Sequence, residues 1–224
     1  MIMEKILKKA IWLIMVIPIA YVAIVWSSLP ASIPMHFDLE GNADRYGSRY
    51  ELLTMILILT ALNVAIYLLL PNIYRIDPKK YAGENKSRLY HIACAVVIFL
   101  AAVLCMIIYS SVRGNIKQGI QFMIPAMGLL FAILGNYMYT IKPNYFAGFR
   151  LPWTLNNDEN WRKTHLVGGK LFFGGGLLIA VCGLFASFKI SMIIMFVILS
   201  LTILITCIYS YRLYKKQSAG MGNH

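Results

Sequence analysis

Charge is scarce in this chain. Only 13% of its 224 residues are Asp, Glu, Lys or Arg, roughly half the share of a typical soluble protein. Acid is scarcest: nine Asp and Glu face 21 Lys and Arg, for a formal net charge of +12. So few polar groups exclude an intrinsically disordered chain, which stays unfolded because it has little apolar surface to bury. They also exclude a soluble nucleic-acid binder, whose basic face must be carried on a water-soluble fold, so no direct nucleic-acid contact is expected. Cysteine is sparse as well. Cys94, Cys105, Cys182 and Cys207 form no C-x-x-C pair and all fall in apolar runs. That excludes a disulfide scaffold and argues against metal or redox chemistry. The four are expected to be small buried packing residues, and no cofactor is expected.

What is abundant is apolar side chain, 59% of residues, with a mean hydropathy of +0.68. One core of this size cannot hide so much, because a large part of any folded surface faces solvent. The solvent must be lipid. A helix needs about 20 predominantly apolar residues to cross a bilayer core. Six stretches qualify: 9–28, 52–70, 91–110, 120–141, 166–187 and 190–210. The first follows Lys5, Lys8 and Lys9 but lacks a small-residue cleavage site, so it reads as a retained helix and not a signal peptide. Pro18 and Pro125 are expected to kink their helices, which membrane bundles tolerate.

Orientation follows from the loops. Sixteen Lys and Arg fall on the side of the two termini, the 71–90 loop and the 142–165 loop, with Lys170 at the start of the fifth stretch counted among them, and five on the other. By the positive-inside rule the expected protein is an all-α integral membrane protein, a six-helix bundle with both termini in the cytoplasm. It has a long outer loop at 29–51 and a long inner loop at 142–165. No Asp, Glu or Arg lies within the six stretches, and Lys170 is within snorkelling reach of the surface. A proton pump or ion-coupled transporter normally places ionisable groups at depth, so neither is expected. Asn63 and Asn136 are the polar groups expected to bond across helix interfaces. Gly128, Ala132 and Asn136 in the fourth stretch, and Gly174, Gly175, Gly176, Ala180 and Gly183 in the fifth, form small-residue faces. These predict close helix packing within the bundle or, alternatively, a homodimer.

The outer loop holds four of the nine acids, Asp38, Glu40, Asp44 and Glu51, beside His36. An EF-hand counted from Asp38 would need Gly at position six and Glu at position twelve, where Ala43 and Arg49 stand. No metal site is expected. Pro30 and Pro34 stiffen the entry and Gly41-Asn42 permits positive φ, so a compact turn is predicted. In the inner loop, NYFAGFRLPW is too aromatic and apolar for a fully solvated segment and suits the headgroup region or a fold back on the bundle. Asn156 followed by Glu159 predicts a helix N-terminus. A helix from there to Ser187 would have Trp161 and His165 on one face. Arg150, Arg162, Lys163 and His165 are either an anion-binding cluster or ordinary positive-inside charge, with Trp153 and Trp161 as interface anchors. No nucleophile is placed beside His165, so no catalytic residue and no enzyme activity are expected.

The two loops also carry motifs. Pro30, Ile33, Pro34, His36, Phe37, Gly41, Asp44, Ser48 and Arg49 resemble the P-x-x-I-P-x-H-F…G-x-x-D-x-x-x-S-R pattern of a membrane domain of unknown function. Asn144, Gly148, Arg150, Pro152, Trp153, Thr154, Trp161 and His165 resemble the N-x-x-x-G-x-R-x-P-W-T and W-x-x-x-H signature of the SdpI family. That resemblance implies a bacterial plasma-membrane immunity protein. It would confer resistance to a secreted peptide toxin met on the outer face, and could relay the toxin's presence to a cytoplasmic transcriptional regulator. The candidate site residues are those motif positions except Pro30 and Ile33, together with Asp38 and Arg162. The implied organisation is an N-terminal membrane domain at 1–90, an SdpI-like domain at 91–216 and a flexible tail at 217–224. The competing reading is a passive transporter or interfacial enzyme handling lipid or a small molecule.

Overall fold

A computed structural model describes residues 2–38, 40–79, 82–114 and 116–221. It is mostly helical. The elements are α1 (Ile2–Ile24), β1 (Ile33–Phe37), β2 (Ala43–Gly47), α2 (Arg49–Leu69), α3 (Lys86–Arg113), α4 (Ile116–Met138), the short α5 (Pro152–Leu155), α6 (Asp158–Phe185) and α7 (Phe188–Met221). A 3₁₀ run, Leu70–Arg75, extends α2. Among the described residues five helical segments are long and apolar enough to cross a membrane: Arg49–Arg75, Ala82–Arg113, Gln121–Met138, Asp158–Phe185 and Phe188–Ala219. Phe185 is 86% exposed, Ile24 80% and Phe196 73%. Burying each such side chain is worth roughly 1.5–3 kcal/mol in water. A surface studded with them is stable only against lipid.

Two things set the packing. In the N-terminal half, aliphatic side chains fill the space between α1, α2 and α3. Val22, Leu29, Ile33, Leu52, Ile56, Leu104 and Ile108 make one buried cluster, and Ile11, Met15, Tyr67, Cys94 and Val97 another. In the C-terminal half, α4 and α6 meet backbone to backbone. A Cβ on Gly128 would lie 2.4 Å from the Ala180 nitrogen, and one on Gly176 2.4 Å from the Ala132 nitrogen. Such contact suits a bilayer, where no hydrophobic effect drives helices together and close van der Waals approach must hold them. Gly128, Ala132, Gly176 and Ala180 on the small-residue faces of α4 and α6 therefore pack against each other within the bundle. Gly183 clears room for the Pro125 ring, 2.8 Å from where its Cβ would be. α4 runs through that proline as α1 runs through Pro18.

The structure corrects several expectations. The outer loop contains the compact turn expected at Gly41 but adds two short strands to a mostly helical chain. It is an antiparallel hairpin, with Ile33 opposite Gly47 and Phe37 opposite Ala43. Ile33 is fully buried while His36 is exposed, and irregular pairing between Pro34 and Phe37 breaks strict alternation along β1. α7 continues through residues 217–221, and Gln217 donates to Glu159 at 3.1 Å. Residues 222–224 lie outside the described residues. The helix expected to start at Asn157 starts one residue later, because Asn157 and not Asn156 is its N-cap, accepting from the Asn160 N–H. Asn63 bonds across an interface as expected, donating to the Val97 carbonyl at 3.2 Å. Asn136 is exposed; Gly135 takes the packed position instead, facing Gly169 and Phe173.

Candidate functional site

The outer motif builds the hairpin. Gly41 closes it with φ 77°, a conformation that costs glycine little. Asp38 holds the turn, its carboxylate accepting from the Asn42 N–H at 2.8 Å while its own N–H donates to the Asn42 carbonyl at 2.9 Å. His36 and Asp44 meet across the strands at 2.7 Å. Ser48 caps α2 reciprocally with Glu51: each side chain accepts from the other's backbone N–H at 3.2 Å. Arg49 lies over the Trp26 ring at 5.9 Å. Glu40 reaches Lys189 at 2.7 Å, strapping the hairpin tip to the start of α7. Pro34 and Phe37 face inward and, with Met35, Met55, Met106 and Met123, line a cavity of about 200 Å³ beneath the hairpin.

The inner motif builds a second hydrogen-bonded unit at the other end of α2. Asn144 is buried and uses every polar hydrogen and lone-pair direction it needs. Its carbonyl oxygen accepts from the Phe146 and Ala147 N–H groups at 2.9 and 2.7 Å, and its amide donates to the Lys142 and Ala147 carbonyls at 2.9 and 3.2 Å. Gly148 has φ 97°, and a Cβ there would lie 2.1 Å from His165 Nε2. That close approach lets the next residue's N–H, Phe149, donate to Nε2 at 2.9 Å. An Nε2 that accepts carries no proton, so Nδ1 carries it and donates to the Trp161 carbonyl at 2.8 Å. His165 stacks on Trp161 at 4.0 Å, and the Trp161 indole N–H donates to the Ile141 carbonyl at 2.8 Å. Thr154, wholly buried, accepts from the Leu151 N–H and lies 2.7 Å from the Phe149 carbonyl. Pro152, at the first position of α5, supplies the fixed φ with which a helix opens.

These contacts break up the expected cation cluster. His165 is buried with both ring nitrogens committed, Arg150 is exposed and donates to the Tyr145 carbonyl at 2.9 Å, and Lys163 pairs with Glu159 at 2.6 Å. Trp161 is a core residue, 1% exposed, and not an interface anchor. Trp153 is the aromatic that reaches a neighbour: its N–H donates to Ser210 on α7 at 2.9 Å and its ring stacks on Tyr214. Among the described residues no three His, Cys, Asp or Glu side chains converge as a metal site requires.

Over 214 residues the chain is 23% identical to Immunity protein SdpI of Bacillus subtilis (strain 168), a match covering 94% of this chain and 98% of that protein. Residues 13–60 match DUF1648, a domain of unknown function, and residues 140–210 match the SdpI/YfhL protein family. No solved structure matches the chain. With the apolar helices above, the relationship makes this a multi-pass plasma-membrane protein related to a membrane immunity protein.

The matched region, residues 140–210, rests on residues that no motif announced. Asn160, Thr164 and Ser210 are fully buried and form one closed polar network between α6 and α7. Thr164 and the Trp153 indole donate to the Ser210 hydroxyl, Ser210 donates to the Asn160 carbonyl oxygen at 2.9 Å, and the Asn160 amide returns to the Ser210 carbonyl at 3.2 Å. Thr202, Thr206 and Ser210 recur every four residues on α7 and are all buried. That spacing is a readable signal for a helix face turned inward. A second set ties the inner motif to the N-terminal half. Asn85 pairs with the Lys142 backbone in both directions, at 2.8 and 3.1 Å. Asp77 accepts from the Tyr145 N–H at 2.9 Å, and Lys79 donates to the Leu155 carbonyl.

Proposed function

We propose that this protein is a non-enzymatic immunity protein that protects a bacterial cell from a secreted peptide toxin. The observation that carries the proposal is the pair of signature segments, each folded as a hydrogen-bonded unit, at opposite ends of α2. One is the polar hairpin over an apolar cavity; the other is the hydrogen-bonded inner loop. The relationship to Immunity protein SdpI supports it. In this reading α1 is the sixth span, both termini are cytoplasmic as the distribution of Lys and Arg favours, and the hairpin residues Pro34, His36, Phe37, Asp38, Gly41, Asp44, Ser48 and Arg49 meet the toxin outside. Arg150, Pro152 and the exposed rim of the inner loop meet a cytoplasmic regulator. The two units, 1–90 and 91–216, act as one body because Asn85, Asp77 and Lys79 join them. A relay to a regulator further requires that toxin favour one arrangement of the bundle over another. Full-length protein expressed in a sensitive strain is expected to restore growth against members of a panel of secreted antimicrobial peptides. A variant with His36→Ala and Asp44→Ala, present at equal abundance in the membrane, is expected to lose that protection. Killing unchanged by the wild-type protein across the whole panel overturns the proposal.

A further inference from the structure

A groove of about 690 Å³ opens at the inner-loop end of the bundle. Its charged lining is Arg88 from the first turn of α3, Lys142 from the loop after α4, and Asp158, Glu159 and Arg162 from the first turns of α6. The acids do not balance the bases. Glu159 is taken by Lys163 at 2.6 Å and by Gln217, which leaves Asp158 against three cations. Lys142 is only loosely paired, 3.8 Å from Glu84, and Arg88 spends one guanidinium nitrogen on the Glu84 carbonyl. An anion held there can collect charge-assisted hydrogen bonds from three separate elements.

Tyr139 lines this groove and also a second hollow, of about 290 Å³, lined by Gly135, Leu166, Gly169, Lys170 and Phe173. Tyr139 is thus the residue where the two adjoin. Arg162, Leu166, Gly169 and Phe173 follow one face of α6, and eleven residues of helix carry that face about 16 Å toward the middle of the bilayer. Leu166 and Phe173 are 40% and 45% exposed along it. Its floor is the seam itself, where Gly135 and Gly169 bring the α4 and α6 backbones into direct contact. A cationic groove beside an apolar trough matches an amphiphile with an anionic head, whereas free phosphate would use the groove alone.

We propose that this seam binds one anionic phospholipid, its headgroup phosphate among Arg88, Lys142 and Arg162 and an acyl chain along Leu166, Gly169 and Phe173. The site is independent of the toxin reading. The test uses the full-length protein in neutral detergent, with thermal unfolding and native mass spectrometry read after adding phosphatidylglycerol, phosphatidylcholine or inorganic phosphate. Phosphatidylglycerol is expected to raise the unfolding temperature more than phosphatidylcholine and to remain as a single bound molecule. Combined Arg88→Gln, Lys142→Gln and Arg162→Gln replacement is expected to weaken that binding about tenfold or more. Arg212→Gln, Lys215→Gln and Lys216→Gln, which remove the same charge elsewhere, are expected to leave it intact. Leu166→Trp, which fills the trough and keeps every cation, is expected to weaken it as well. The proposal is overturned if the two lipids act alike, if inorganic phosphate reproduces the full effect, or if the control triple variant loses as much as the groove variant.

Discussion

Replacing Gly148 by Ala is expected to unfold the inner loop and to destabilise the protein by about 2–6 kcal/mol. Two costs combine. A φ of 97° is a conformation that an L side chain rarely adopts, worth roughly 1–3 kcal/mol of strain. The new methyl would also lie 2.1 Å from His165 Nε2 and 2.9 Å from Cδ2. His165 cannot turn aside, because it is buried, stacked on Trp161 and hydrogen-bonded to the Trp161 carbonyl. The Phe149 N–H then loses its acceptor, about 1–3 kcal/mol more. Thermal unfolding in detergent reads the total. The double variant Gly148→Ala, His165→Ala separates the two costs, because it keeps the strain and removes the clash. It should fall well short of the sum of the single variants. A Gly148→Ala protein within about 0.5 kcal/mol of wild type, the range of an ordinary surface substitution, would contradict the geometry.

Gly128→Leu is expected to force α4 and α6 apart and to leave little folded protein. The wall its side chain would meet is backbone: the Ala180 nitrogen at 2.4 Å and the Gly176 carbonyl oxygen at 2.6 Å. Flexible side chains can give way to an added methylene at a cost of about 1–3 kcal/mol, but helix backbones can yield only by separating. The matching control lies on the partner helix. A Cβ on Gly174 would meet nothing within 4 Å, so Gly174→Ala should be neutral or stabilise by up to about 1 kcal/mol through helix propensity. Recovery of monodisperse protein and its unfolding temperature distinguish the two. Equal behaviour of Gly128→Leu and Gly174→Ala would show that the α4–α6 contact is not what holds this half together.

Long apolar runs made the helices legible in the sequence, because a bilayer demands about 20 such residues in a row whatever else they do. Glycine spacing made the α4–α6 contact legible, with one slip of register from Asn136 to Gly135. The hairpin was missed because a strand of five residues, one of them Pro34, gives too short an alternation to outweigh the turn signals around it. The inner motif was legible as a list of residues but not as a machine. Asn144, Gly148, Thr154, Trp161 and His165 turn out to bind one another and the backbone, leaving only Arg150 and the rim exposed. Trp161 was misplaced because an aromatic near a charged helix start reads the same whether it faces headgroups or core. The Asn160–Thr164–Ser210 network stayed hidden because its members lie 46 and 50 residues apart in the chain. Isolated hydroxyls in an apolar helix carry no sign of which partner they meet.

The account depends on the hairpin facing outward and the inner loop facing the cytoplasm, and substituted-cysteine labelling tests that most directly. With the four native cysteines replaced by alanine, Asp44→Cys and Asp158→Cys are each treated with a membrane-impermeant maleimide in intact cells and again after permeabilisation. The account predicts that position 44 labels in intact cells and position 158 only after permeabilisation. Labelling of position 158 from outside, or protection of position 44 until the membrane is opened, would contradict it.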